Sequence, residues 1–104
     1  MAVKMLYDKN FEEFVAQSAV AVVDFYADWC MPCRIMAPRM EELSEEISGA
    51  FFGKINVDES SSIAQRFGIV SIPTIIIFKN GAQVDEIVGT HSKDSVKSTI
   101  KKYL

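Results

Sequence analysis

The chain has 104 residues, with 11 basic and 14 acidic side chains and a formal net charge of −3 at pH 7. Its 49% hydrophobic and 11% aromatic residues exclude a disordered chain, because disordered chains are poor in aromatic and β-branched residues. Two cysteines are too few for a disulfide scaffold, and the only adjacent basic pair, Lys101 and Lys102, makes no basic patch of the kind that duplex nucleic-acid binders carry.

Strand patterns and helix patterns alternate along the chain, and no linker or internal repeat interrupts them. Apolar runs bounded by turn residues predict strands, whereas apolar residues at positions i, i+3 and i+4 predict helices. In chain order the patterns predict a strand at Val3–Leu6, a helix capped by Asp8, a strand at Val20–Tyr26, a helix from Cys30 to about Ser48, a strand at Phe51–Val57, a helix at Ser61–Phe67, strands at Thr74–Phe78 and Gln83–Val88, and a last helix capped by Ser92.

Turn residues and the lack of alternation in one strand predict how these elements are arranged. Val20–Tyr26 is apolar on both faces, which is typical of a central strand covered by helices on both sides. Gly68 predicts a left-handed cap, and Asn80-Gly81 predicts a tight hairpin. The order βαβαβαββα therefore predicts an α/β fold with a central mixed β-sheet flanked by helices on both faces.

Cys30 and Cys33 lie directly after the predicted central strand, in the segment Trp29–Arg34. Residues i and i+3 of a helix face the same side, with Cβ atoms ~5–6 Å apart, so a modest adjustment brings the sulfurs to disulfide distance. Cys30 would lie at the helix N-terminus, where free N–H groups favour a thiolate. We therefore predict that Cys30 attacks a substrate disulfide and that Cys33 resolves the mixed disulfide.

Two other interpretations of the cysteine pair are weaker. A structural zinc site needs four ligands, and beyond the two cysteines the sequence offers one distant histidine, His91, which we expect in a surface loop. A purely structural disulfide would close a very small loop and contribute little to stability. The spacing therefore favours a redox-active pair.

Asp24 interrupts the apolar central strand, where aspartate is unusual. Alternation gives it the same sheet face as Val22, and burial there would raise its carboxyl pKa. We interpret it as a buried acid–base group that takes a proton from Cys33, directly or through water. The alternative is an outward-facing residue of an edge strand.

For Lys54 and Pro73, the sequence pattern alone predicts no functional role. Lys54 lies within a predicted strand and would be a solvated strand residue, since lysine is rarely buried. Pro73 begins a strand, and the peptide bond before it would be trans, because cis X-Pro bonds are only about 5–6% of cases.

Several motifs, in a characteristic order and spacing, resemble the thioredoxin family over nearly the whole chain. They are Val23–Arg34, Ala37-Pro38, Lys54–Asp58, Phe67–Ile69, Ser71–Thr74, Phe78–Gly81 and Val88-Gly89. The resemblance implies a thioredoxin fold, a single thioredoxin domain over residues 1–104, and a protein-disulfide reductase that works through a reversible Cys30–Cys33 dithiol and disulfide.

The resemblance also implies roles for residues around the cysteines. Asp24 matches the family's buried carboxylate and Lys54 its ionic neighbour, so both join Cys30 and Cys33 as catalytic candidates. Pro73 matches the family's cis-proline, against the trans bond expected above, and leaves the backbone of Ile72 free to pair with an extended substrate segment. The candidates for substrate binding are Trp29, Met31, Pro32, Ile72, Pro73, Val88 and Gly89.

The sequence departs from the usual family pattern at three positions. Met31 replaces a common glycine between the cysteines, Arg34 replaces a common lysine, and Tyr26 replaces a frequent tryptophan. Residues between the cysteines tune the relative stability of thiolate and disulfide. Met31 also enlarges the apolar rim that the resemblance implies, formed by Trp29, Ile72, Val88 and Gly89, on which partners would dock.

The resemblance implies disulfide-containing target proteins and a thioredoxin reductase, of the NADPH-dependent flavin type rather than the ferredoxin type, with no bound cofactor or metal. Met1–Asp8 lacks the apolar core of a secretory signal, and the longest uncharged run, Phe67–Phe78, is too short to span a bilayer. We therefore expect a cytoplasmic monomer without membrane or nucleic-acid partners. The alternatives are an oxidase or isomerase of the same fold and a non-catalytic binding subunit.

Overall fold

The computed structural model describes residues 3–104; Met1 and Ala2, the first two residues of the expected domain, lie outside the described residues. The elements follow the predicted order of strands and helices. Their bounds are β1 Val3–Leu6, α1 Phe11–Gln17, β2 Val20–Tyr26, α2 Met31–Glu46, β3 Phe51–Asn56, α3 Ser61–Arg66, β4 Thr74–Lys79, β5 Ala82–Val88 and α4 Lys93–Lys101.

The five strands form one mixed sheet in the order β1-β3-β2-β4-β5. The first three strands of this order are parallel, while β4 is antiparallel to β2 and β5 is antiparallel to β4. The predicted mixed sheet is confirmed, and β2 lies at its centre. The carboxyl ends of β2 and β3 therefore meet at one edge of the sheet, where the chain passes from β2 into α2.

Alternation along the strands divides the core between the two faces of the sheet. One face packs against α2 and α4 through apolar residues that include Val22, Met36, Leu43, Ile77 and Ile100. The other face packs against α1 and α3 through residues that include Phe11, Val23, Phe25, Ile63 and Ile76. The expectation of helices on both faces is confirmed. Since Val22 and Asp24 point to the same side of β2, Asp24 lies on the face that α2 covers.

Backbone conformations and caps at two turns agree with the sequence. Asn80 and Gly81 have φ angles of 53° and 85°, which is the pair of positive values that a tight hairpin turn requires. The hydroxyl of Ser92 accepts a hydrogen bond of 3.1 Å from the backbone N–H of Ser95 and so caps α4. These polar residues fix where β4 turns into β5 and where the last helix begins.

The predicted cap of the first helix is wrong. Asp8 lies in a turn, and α1 begins after Asn10. The side chain of Asn10 accepts a hydrogen bond of 2.6 Å from the backbone N–H of Tyr7 and therefore closes the turn before the helix. Asp and Asn are both common cap residues, so the sequence alone does not distinguish the two positions.

Candidate active site

Cys30 and Cys33 are joined by a disulfide at the junction between β2 and α2. Their Cα atoms are 5.2 Å apart, within the usual range for disulfides, which confirms that their spacing brings the sulfurs together. Both residues are buried, with 4% and 3% of their surface exposed. The disulfide therefore lies just below the surface, where the chain passes from β2 into α2.

The start of α2 directs a backbone donor at one sulfur. Cys30 is the N-cap residue of α2, and its Sγ accepts a hydrogen bond of 3.2 Å from the backbone N–H of Cys33. Pro32 stands in the first turn, where its missing N–H has no helical partner to lose. The free N–H groups and the helix dipole favour negative charge on the sulfur of Cys30.

A second segment approaches the disulfide from the start of β4. The peptide bond between Ile72 and Pro73 is cis, so the trans expectation from local frequencies is wrong and the family resemblance gave the right geometry. Tertiary contacts override the local preference here. The carbonyl oxygen of Ile72 lies 3.8 Å from Sγ of Cys30, and the carbonyl of Pro73 accepts a hydrogen bond of 2.8 Å from Gly89.

Exposed apolar side chains flank the disulfide. Trp29 is 68% exposed, Met31 is 62% exposed and Val88 is 48% exposed. The indole N–H of Trp29 donates a hydrogen bond of 2.9 Å to the carboxylate of Asp58, which fixes the orientation of the ring. Of the predicted docking residues, the exposed ones are Trp29, Met31, Pro32 and Val88, whereas Ile72 and Gly89 are half-buried and Pro73 is buried.

The sequence interpretation missed one apolar residue beside this rim. Ile35 is 48% exposed and lies one helical turn after Met31 on α2. Residues four apart on a helix are neighbours, so Ile35 continues the apolar surface of Met31 along the helix. This i, i+4 spacing of two apolar residues is the signal that identifies it in the sequence.

The other side of the disulfide opens into a cleft of about 430 Å³. It lies between the sheet and α2, along the helix from Cys33 to Glu41. Asp24, Lys54 and Cys33 all contribute to its walls, so the structure brings these three predicted residues together. The remaining lining residues are Val3, Tyr26, Ala27, Asp28, Arg34, Ala37, Pro38, Met40 and Glu41.

Asp24 is buried in this cleft with 4% of its surface exposed, so the alternative of an outward-facing edge residue is wrong. Among residues 3–104 its Oδ1 atom has no hydrogen-bond partner. Burial raises the pKa of the Asp24 carboxyl to about 7, and the positive charge of Lys54 opposes this rise. A carboxyl with such a pKa exchanges a proton near neutral pH.

Lys54 lies opposite Asp24 on the neighbouring parallel strand β3. It is half-buried, and its Nζ lies 5.5 Å from the centre of the Tyr26 ring, so it is not a fully solvated strand residue. Within the described part of the chain, the ion pairs shorter than 4.0 Å do not include Lys54 or Asp24. Lys54 therefore acts on Asp24 through space, without direct contact between the charged atoms.

Residues 3–104 hold no group of three or more His, Cys, Asp or Glu side chains that could bind a metal ion. No helix within these residues has the length and the apolar character that crossing a membrane requires. His91 lies in the loop between β5 and α4, as expected.

Known proteins match this chain over almost its full length. The family model described as Thioredoxin matches residues 2–102. The thioredoxin of Staphylococcus saprophyticus is 44% identical over 105 residues, covering 100% of both chains. The thioredoxin of Chlamydia caviae is 41% identical over 101 residues, which cover 97% of this chain and 98% of that protein. A solved structure of Plasmodium falciparum thioredoxin superposes with a TM-score of 0.92 at 36% identity, covering 98% of this chain and 100% of that one.

Proposed function

This chain belongs to the thioredoxin family and is a thiol–disulfide oxidoreductase that reduces protein disulfides, and we propose that Cys30 attacks the target while Cys33 releases it. The hydrogen bond from the Cys33 N–H to Sγ of Cys30 carries this assignment. It stabilises charge on Cys30, the residue at the helix cap, and leaves Cys33 one turn further inside.

The proposed reaction moves two electrons from the reduced protein to the target. The Cys30 thiolate attacks one sulfur of the target disulfide, that disulfide breaks, and the second target sulfur leaves as a thiolate that takes up a proton. Cys33 then loses its proton and attacks Sγ of Cys30. The Cys30–Cys33 disulfide forms, and the first target sulfur leaves as a thiolate.

Asp24 is proposed to accept the proton of Cys33 in the second step, directly or through water. Both residues line the same cleft, and a carboxyl with a pKa of about 7 is a suitable acceptor near neutral pH. Lys54 is proposed to keep this pKa from rising further. Below about pH 7, Asp24 is protonated and cannot accept, so release of the target slows.

The exposed rim is proposed to dock the target. Its apolar side chains would bury apolar target surface, and the backbone of Ile72 would pair with an extended target segment beside Cys30. The carbonyl oxygen of Ile72 lies 3.8 Å from Sγ of Cys30, so this backbone is already beside the sulfur. The proposed docking residues are Trp29, Met31, Pro32, Ile72, Pro73, Val88 and Gly89.

Electrons reach the disulfide from a reductase, as the family relationship supports, and the disulfide takes the place of a prosthetic group. We propose that this reductase is an NADPH-dependent flavoprotein, and that residues 1–104 form a single domain acting as a cytoplasmic monomer. Purified reductases of the flavin and ferredoxin-dependent types, each supplied with oxidised protein, test the first point. Faster reduction by the ferredoxin-dependent type would contradict it.

Trapping of the mixed disulfide tests the roles of the two cysteines. The variant Cys33→Ser should accumulate a covalent complex with oxidised insulin, because its attack proceeds and its release cannot. The variant Cys30→Ser should form none, and both should lose measurable turnover in an insulin-reduction assay with dithiothreitol. Equal trapping by the two variants, in non-reducing electrophoresis, would overturn the assignment.

A further inference from the structure

His91 touches two elements that flank the disulfide without taking part in the chemistry described above. Its ring Nε2 lies 2.9 Å from the carbonyl oxygen of Val88, the last residue of β5. Its own carbonyl accepts a hydrogen bond of 2.6 Å from the guanidinium of Arg39 on α2. Its backbone N–H points at the sulfur of Met36, also on α2, at 3.5 Å.

The contacts of His91 fix the end of β5 in addition to a backbone hydrogen bond that this end makes with the cis-proline segment. The N–H of Gly89 already donates to the carbonyl of Pro73, which fixes the end of β5 to the cis-proline segment. The ring of His91 adds a contact at the preceding carbonyl, that of Val88. Through Arg39, the same loop is fixed to the helix that begins at the disulfide.

The direction of the ring contact follows from its chemistry. A carbonyl oxygen only accepts hydrogen bonds, so Nε2 of His91 must carry the proton and donate it. A neutral ring in this tautomer and a protonated ring both keep a proton on Nε2. The contact therefore persists whichever of these two forms the ring adopts.

We propose that His91 is a positioning residue for target docking. This inference rests on the proposed docking function of the rim. Its ring holds Val88 and Gly89 at a fixed distance from α2, so that this part of the rim is already in position beside Cys30 before a target binds. Arg39 anchors His91 by a charge-assisted hydrogen bond, which is stronger than a neutral one. A rim fixed in advance costs less conformational freedom when a target binds.

The test compares a large and a small substrate across two variants of His91. Leucine at this position has no side-chain donor, whereas the amide nitrogen of glutamine can reach the place of Nε2. For insulin, we expect His91→Leu to raise KM roughly fivefold with kcat little changed, as loss of one hydrogen bond would do. His91→Gln should keep KM near that of the unchanged protein.

The small disulfide dithiobis-nitrobenzoate distinguishes an effect on docking at the rim from an effect on the reactivity of the cysteines. Because it is small, we expect it to react at Cys30 without contacting Val88 and Gly89, so the prereduced protein and both His91 variants should react with it at equal rates. Arg39→Met, which removes the anchor on α2 and leaves the ring in place, should also raise KM for insulin. Thermal unfolding of each variant checks that the chain remains folded.

The outcomes are distinct. Equal KM values for His91→Leu and His91→Gln, whether raised or unchanged, would overturn the role of the Nε2 bond. An unchanged KM in Arg39→Met would overturn the anchoring role of that residue. A matching loss with the small disulfide would show that His91 acts on the cysteines instead of the rim. If the unchanged protein reduced dithiobis-nitrobenzoate but not insulin, the proposed docking function itself would fail.

Discussion

The two sides of the first turn of α2 differ in almost every physical property. On the outer side, Cys30 is bordered by Trp29 and Met31, which expose more than half of their surface. On the inner side, Cys33 faces a cleft with a buried carboxyl, Asp24, and a half-buried ammonium, Lys54. The outer side offers apolar contact and backbone hydrogen bonds, while the inner side offers a site for one proton.

This contrast separates the two halves of the reaction. A target protein must approach the outer side, since the inner cleft has no room for a folded partner. In the proposed reaction, Asp24 on the inner side accepts the proton that leaves Cys33, and no target needs to touch this carboxyl. We therefore expect changes on the outer side to alter KM for proteins, and changes on the inner side to alter the release step and its pH dependence.

The largest effect on the inner side should be on stability. The folded-state pKa of Asp24, about 7, lies above the value of 3.8 for a free aspartate. The folded state therefore holds the proton more tightly, so stability falls as pH rises from about 4 to about 7 and then levels off. Asp24→Asn should raise the free energy of unfolding at about pH 8 by on the order of 4 kcal/mol.

Urea unfolding at two pH values checks this expectation. At about pH 4, where the carboxyl is protonated in the folded state, Asp24→Asn and the unchanged protein should have nearly equal stability. The difference should open as pH rises. A constant difference across this range would mean that the charge of Asp24 is not the cause.

A smaller effect is expected from the positive charge of Lys54, which opposes the rise in the pKa of Asp24 that burial causes. Lys54→Met removes the positive charge beside Asp24, so the pKa of the carboxyl should rise above about 7. The midpoint of the pH profile for target release should then move upward by about one unit at most. Lys54→Arg keeps the charge and serves as the control. A midpoint that stays in place for Lys54→Met, measured by rapid mixing, would remove Lys54 from the account.

The smallest effect belongs to the outer side. Met31→Ser removes apolar rim surface, and KM for insulin should rise roughly fivefold, because half-burial of such a side chain is worth about 1 kcal/mol. Phe51→Ser is a matched control, since Phe51 is 59% exposed and begins β3 at the opposite end of that strand from the active site. Equal KM changes in the two variants would show that Met31 has no specific place in docking.

Sequence patterns predicted most of the fold because the signals are local. The two-residue turn at Asn80 and Gly81 needs positive φ angles, and the central strand is apolar on both faces. The first helix cap was wrong because Asp8 and Asn10 are chemically alike, and only a backbone contact to Tyr7 distinguishes them. The ends of the other elements lie within about two residues of their predicted positions.

From the residues alone, the site was predictable only where its chemistry is compact in sequence; the cis bond before Pro73 was predicted by the family resemblance alone. Cys30 and Cys33 are three residues apart and signal their own function, and Asp24 is anomalous within its strand. In contrast, Arg39 and His91 are 52 residues apart and meet only in the folded chain. No local pattern marks such a contact, so sequence reasoning treated His91 as an ordinary loop residue.

The most direct test of the two-sided account measures attack and release separately as a function of pH. Rapid mixing of prereduced protein with rising concentrations of insulin gives a bimolecular attack rate and a first-order plateau set by release. We predict that release in the unchanged protein rises with a midpoint near pH 7, and that Asp24→Asn loses this midpoint and slows release roughly 100-fold at about pH 8. The attack rate should be the same in both proteins. Release with the same pH profile in both would contradict the account.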